Sequence, residues 1–151
     1  MSTEENIVQE LVKNFGYLEN KVRLARPRRL FLDVDLAHFE EVFAYAVQKL
    51  KFSHLISITG LDEQDNLSFL YHLAQKGVML NIKTSAPKDN PVIKTVMSYF
   101  PGAEIYEREL VDLFGAKVEG LPAGNRYPLT DDWPAGEFPL RKDWKGGHSD
   151  A

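Results

Sequence analysis

The stretch "YERELVDLFG", Tyr106 to Gly115, gathers Glu107, Glu109 and Asp112 around Arg108. Carboxylates are the residue types of general acid–base catalysis, provided that an apolar cleft shifts the pKa of one of them. On a helix, Glu104, Arg108 and Asp112 are spaced i, i+4, i+8, so the arginine lies between two acids on one stripe. Tyr106, Leu110, Leu113 and Phe114 form the opposite stripe, and Glu107 and Glu109 flank the charged row. A docking face or an acid–base pair is the functional reading, but spacing alone predicts a solvated stripe laced with ion pairs before it predicts catalysis, because exposed ion pairs are common and weak. A stand-alone enzyme using Glu107, Glu109 or Asp112 as acid or base is the alternative.

Other chemistry finds less support. His38, His54, His72 and His148 are widely separated, so a metal site would need long-range assembly. There are no cysteines, which removes disulfides, thiolate ligation of a cluster by this chain and thiol catalysis. No bound metal, flavin, iron–sulfur cluster or other cofactor is expected. In "LDEQDN", Asp62, Gln64 and Asn66 alternate like the start of a calcium loop. Leu67 and Leu73 stand where the required glycine and glutamate belong, so a hairpin turn is expected instead. No nucleophile elbow, phosphate loop or dinucleotide fingerprint occurs. "RLARPRR" holds four arginines that could meet an acidic partner or phosphates; a charged strand edge that resists sheet-to-sheet pairing is the favoured reading. A net charge of −4 argues against non-specific nucleic-acid binding.

The elements that must carry these residues follow from hydrophobic period. The 151 residues suit one domain, able to bury roughly 70% of its unfolded surface. Ser2 and Glu5 form a capping box before an amphipathic helix with Ile7, Val8, Leu11, Val12 and Phe15 on one face. "VRLARPRRLFLDV" is extended, with Leu30 to Val34 a strand. Asp35 is positioned to cap a second helix, whose core face is Leu36, Phe39, Phe43, Ala46, Val47 and Leu50. "HLISITG", with Ile56 and Ile58 on one face, "NLSFLYHL" and "VMLNIKT" follow as three strands joined by short turns, a meander. Pro91 opens a predicted helix over "PVIKTVMSYF", and "AEIYERELVDLFG" is the last helix. The fold class is therefore α+β: a mainly antiparallel sheet of about four strands with helices packed on it.

The tail differs. Pro122, Pro128, Pro134 and Pro139 recur among glycines, which rules out a long regular element. Leu121, Tyr127, Leu129, Trp133, Phe138, Leu140 and Trp144 are too apolar for a disordered linker. The chain thus divides into an α+β domain over 1–116 and an extended Pro/Gly-rich arm over 117–151. The arm needs a surface to pack against, either on its own domain or on another protein. The longest apolar run, Val42 to Val47, is far short of a membrane span, and the acidic N-terminus has no signal-peptide pattern. A cytoplasmic protein is expected, peripheral to a membrane only through partners.

"ERELVDLFG", "EG", "DDWP" and "PLRKDW", in that order, resemble the thirty-kilodalton subunit family of respiratory complex I (the C subunit of the bacterial enzyme) and the matching subunit of energy-converting, membrane-bound NiFe hydrogenases. The family signature maps onto Glu107, Arg108, Glu109, Asp112, Leu113 and Phe114, and "PLRKDW" onto Pro139 to Trp144. Leu121 stands where the respiratory members carry a histidine after "EG", and the run after Trp144 is short. Both features are more like the hydrogenase and formate hydrogenlyase branch than the C subunit of NADH:quinone oxidoreductase. The resemblance implies a non-catalytic structural and assembly subunit of an ion-translocating oxidoreductase complex. It implies docking on the hydrogenase-like large subunit, with iron–sulfur subunits nearby. The expected interface is Glu107, Arg108, Glu109, Asp112, Arg126, Trp133, Phe138, Arg141, Lys142, Asp143 and Trp144, the tryptophans and arginines being types that dominate interface energetics.

Overall fold

A computed structural model describes residues 3–124 and 126–146. The order is α1 (Thr3–Asn14), β1 (Val22–Arg26), β2 (Arg29–Asp33), α2 (Leu36–Gln48), β3 (His54–Asp62), β4 (Asn66–Gln75), β5 (Val78–Pro87), β6 (Val92–Lys94), α3 (Ala103–Phe114) and β7 (Lys117–Glu119). The α+β class holds. The main sheet has five strands in the order β1-β2-β5-β4-β3. Its pairings are antiparallel except β2 with β5, which is parallel. The strand beyond the expected four is β1. "VRLARPRRLFLDV" folds into a hairpin at Pro27–Arg28 instead of running straight, with Arg28 in the left-handed region at φ 65°.

The expected meander is present as β3-β4-β5, and its alternation builds the core. Leu67, Phe69, Tyr71 and Leu73 of β4, with Leu80 and Ile82 of β5 and Leu30 and Leu32 of β2, are buried. Phe39, Val42, Phe43 and Ala46 of α2 cover them. The Phe39 and Phe43 rings lie 4.7 and 5.6 Å from that of Tyr71. Ile7 and Leu11 of α1 join the same cluster, as their helical spacing predicts. The capping box rests on Ser2, which lies outside the described residues, as does His148.

Three expectations need correction. The helix over "PVIKTVMSYF" does not form: Val92–Lys94 is the strand β6, parallel to β7, and a turn follows at Met97–Tyr99. The backbone there finds better partners in tertiary structure: Lys117 N–H donates to Pro91 O at 2.9 Å and Thr95 N–H to Glu119 O at 2.8 Å. With Val92, Ile93 and Val96 β-branched, helix propensity is weak and the pairing wins. Next, Ile56 and Ile58 do not share a face. The register skips between Leu55/Leu73 and Ser57/His72, so Ile56 occupies a bulge and turns outward while Leu55 and Ile58 are buried. Finally, Asp35 takes the N-cap position of α2 without a side-chain cap; its carbonyl accepts the His38 N–H at 3.0 Å.

Candidate docking site

α3 runs from Ala103 to Phe114 and stops at Gly115, whose φ of 76° gives a left-handed C-terminal cap. It packs beside β3 through a glycine: a Cβ on Gly60 would stand 2.5 Å from the Phe114 ring. This close seat fixes which way the acidic residues of the helix face.

Glu107 points inward and is fully buried. Its carboxylate accepts Thr95 Oγ1–H at 2.5 Å and the Val96 N–H at 3.0 Å, closing the turn after β6. Burial pushes its carboxyl pKa up, and the two donated bonds oppose that without cancelling it. Arg108 bridges to Glu104 at 2.8 Å and donates to Pro122 O at 2.7 Å, so one guanidinium holds its own helix and the chain beyond β7. Asp112 is buried; one oxygen accepts Arg126 Nε at 3.1 Å and the other the Leu129 N–H at 2.9 Å. Glu109 is half-buried and lines a cleft of about 330 Å³ between β3 and α3, together with Tyr106, Phe114 and Leu140.

The expected solvated stripe is therefore only partly so. Glu104 and Arg108 pair as spacing requires, but Asp112 leaves the row to bind Arg126. Glu107, placed at the flank by the sequence, is the most buried of the set. Neither buried acid is arranged as an acid–base pair: both accept hydrogen bonds from backbone and side chains that hold the fold.

The residues from Gly120 to Gly146, Asn125 aside, contain turns and irregular chain but no helix or strand. They lie against α3 and the end of β3. Arg126 Nη1 donates to Trp133 O at 2.5 Å, and Trp133 Nε1 to Glu137 O at 2.8 Å. The Trp133 and Trp144 rings are 5.8 Å apart. The Phe138 ring sits over Gly115, where an added Cβ would lie 2.5 Å from it. Arg141 stacks on Phe138 at 5.0 Å and donates to Phe114 O at 2.6 Å. The Leu140 N–H reaches Leu113 O at 3.0 Å. Beyond it, the Lys142 N–H donates to Asp62 Oδ2 at 2.7 Å, and Lys88 pairs with both Asp62 and Asp143, at 2.7 and 3.1 Å.

Every expected interface residue thus falls on α3 or on the chain laid beside it. Two residues of the site escape the sequence reading. Thr95 falls within the expected helix, which hides its bond to Glu107. Asp62 reads as part of a turn. The period of β3 after Ile58 puts Asp62 on the inward face, and a carboxylate there requires a buried partner; that signal is legible.

No helix among the described residues is long and apolar enough to cross a membrane, and no cluster of three or more His, Asp or Glu there could hold a metal ion. Fold and site define an α+β domain in which two buried acids, Asp112 and Asp62, hold a proline-rich tail against α3 and the end of β3. Residues 32–150 match the family described as respiratory-chain NADH dehydrogenase, 30 Kd subunit, and the chain belongs to that family. It is 35% identical over 144 residues to the C subunit of the F(420)H(2) dehydrogenase of Methanosarcina mazei, covering 93% of this chain and 90% of the relative. It is 31% identical over 153 residues to the beta subunit of the membrane-bound hydrogenase of Pyrococcus furiosus, covering 97% and 88%. Among solved structures, a chain of the membrane-bound sulfane sulfur reductase, an archaeal respiratory membrane complex, superposes with a TM-score of 0.83 at 28% identity, covering 95% of this chain and 86% of that one.

Proposed function

We propose that this chain is a non-catalytic structural subunit of a membrane-bound, ion-translocating oxidoreductase complex, docked on the complex's hydrogenase-like large subunit. The observation that carries the reading is the use to which the family signature is put. Glu107 and Asp112 spend their oxygens on Val96, Thr95, Arg126 and Leu129, so the signature shapes a surface instead of a reaction centre. Likeness over nearly the whole chain to subunits of a membrane-bound hydrogenase and of an F(420)H(2) dehydrogenase supports a complex of this type. The chain then reaches a membrane through its partners, from the cytoplasmic side.

The docking surface is α3 with the arm beside it. Trp133, Phe138 and Trp144 are half-buried and present their outer faces as anchors. Arg126, Arg141, Lys142 and Asp143 fix the arm's path and leave polar edges for a partner. Prolines keep the arm extended and reduce the entropy lost on docking. Truncation after Gly120 tests this. The expected result is a domain that still folds but no longer co-purifies with the large subunit. A truncated domain that unfolds makes the arm an internal strap, and one that folds and assembles normally contradicts the docking role.

A further inference from the structure

Charge is unevenly distributed in this fold. Residues 22–32, 42–61 and 66–88 carry nine Lys and Arg and no Asp or Glu, although the whole chain has a net charge of −4. The strand register gathers six of these cations at one end of the main sheet. Arg26 pairs with Arg29 across the β1–β2 hairpin, Arg28 at its tip accepts the Met79 N–H at 2.9 Å through its carbonyl, and Arg29 faces Met79. Lys76 is in the turn between β4 and β5, next to Gly77, whose Cβ would lie 3.5 Å from the Arg28 guanidinium. Lys49 and Lys51 lead from α2 into β3, whose first residue, His54, pairs with Ala74. Among the described residues none of the six takes part in an ion pair.

The backbone adds an independent sign. Arg28, Lys51 and Lys76 have φ of 65°, 65° and 47°, so among the described residues three of the five non-glycine residues in left-handed backbone are cations at this one end. All three are exposed, Arg28 and Lys76 in turns and Lys51 in the chain between α2 and β3, at positions where glycine or asparagine is the less strained choice. Strained backbone clusters at functional sites, and its coincidence here with charged side chains motivates a functional reading of this end.

We infer that this basic end of the sheet, formed by Arg26, Arg28, Arg29, Lys49, Lys51 and Lys76, docks an acidic surface segment of a neighbouring protein subunit. The inference rests on the assembly role proposed above and adds a second contact to it. The nine residues of β3, roughly 25 Å at about 3.3 Å per residue, separate this end from Asp62, where the arm is tied. A protein partner fits better than the other polyanions. Aromatic residues do not alternate with these cations as a single-strand platform requires. The strongly acidic remainder of the chain would be repelled by an anionic bilayer.

The test uses the assembled complex and the triple variant Arg28→Asn/Lys51→Asn/Lys76→Asn, in which asparagine keeps the left-handed turns and removes the charge. The isolated variant should melt at the wild-type temperature or above, while its affinity for the complex falls roughly tenfold, as loss of three exposed ion pairs implies, with a reduced dependence on salt. Independently of the variant, carbodiimide treatment of the wild-type complex should join Lys51 or Lys76 to a carboxylate of another subunit. Equal salt dependence of wild type and variant overturns this inference alone. So do cross-links confined to this chain or to a second copy of it, and binding of the wild-type chain, abolished in the variant, to phosphatidylserine vesicles. A wild-type chain that captures no neighbour overturns the assembly role as well.

Discussion

Asp62, the last residue of β3, accepts the backbone N–H of Lys142 at 2.7 Å, a contact between positions 80 residues apart. Lys88 Nζ lies 2.7 Å from the same carboxylate oxygen, and the Gln64 N–H donates to the other at 2.9 Å. The far end of the arm is thereby tied to the main sheet. Burial alone would raise the Asp62 pKa, but the bonds from Lys88, Lys142 and Gln64 outweigh it and hold it down from 3.8 to about 2.

That depression makes stability pH-dependent. The group's folded pKa lies below its unfolded one, so its contribution is present above about pH 4 and is lost as pH falls towards 2. The difference corresponds to about 2 kcal/mol. Asp62→Asn should be less stable than wild type by that order at pH 7, and urea unfolding at a series of pH values should show the gap closing between pH 4 and 2. A gap independent of pH would mean that the ionised carboxylate is not what Lys88 and the Lys142 N–H stabilise.

Asp112 ties the near end of the arm. Removing its carboxylate leaves Arg126 and the Leu129 N–H without this acceptor, at a cost of about 1–3 kcal/mol. In Asp112→Ala, limited trypsin digestion should cut at Arg126 much faster than in wild type, with the rest of the domain persisting as a resistant fragment. Unchanged cutting at Arg126 would show that Asp112 does not hold the arm.

The seat of α3 depends on Gly60. In Gly60→Ala the new methyl meets the Phe114 ring at 2.5 Å, an overpacking that typically costs about 1–3 kcal/mol. Denaturant unfolding measures it, and a neutral result would mean that the ring is not closed over β3.

Phe43 is 1% exposed and touches the rings of Phe39, Tyr71, Tyr99 and Phe100. Phe43→Ala should cost about 3–5 kcal/mol. A loss under about 1 kcal/mol would remove α2 from the centre of the core.

The elements easiest to read from the sequence are those whose period repeats. Phe39 and Phe43 of α2 and the inward alternation of Leu67, Phe69, Tyr71 and Leu73 each state their face several times over. Single events are not legible. One bulged residue sends Ile56 outward, and nothing local announces the bulge. β6 and β7 pair in parallel across 25 residues of sequence, from Val92 to Lys117, so β6 has no hairpin turn to mark it and Pro91 reads as a helix start. The site is half legible for a related reason. Spacing on α3 correctly joins Arg108 to Glu104, but burial decides the roles of Glu107 and Asp112, and their partners Thr95, Val96, Arg126 and Leu129 come from segments whose path only the tertiary fold sets.

We propose that the chain works as a docked subunit with no reaction of its own. The most direct test is mild affinity isolation of the full-length chain from its native membranes, followed by native mass spectrometry of what elutes. The expected result is a stable assembly holding one copy of this chain with a hydrogenase-like large subunit, lost when residues after Gly120 are deleted. Recovery of the full-length chain alone, under conditions in which the large subunit remains intact and bound to its other neighbours, would contradict it.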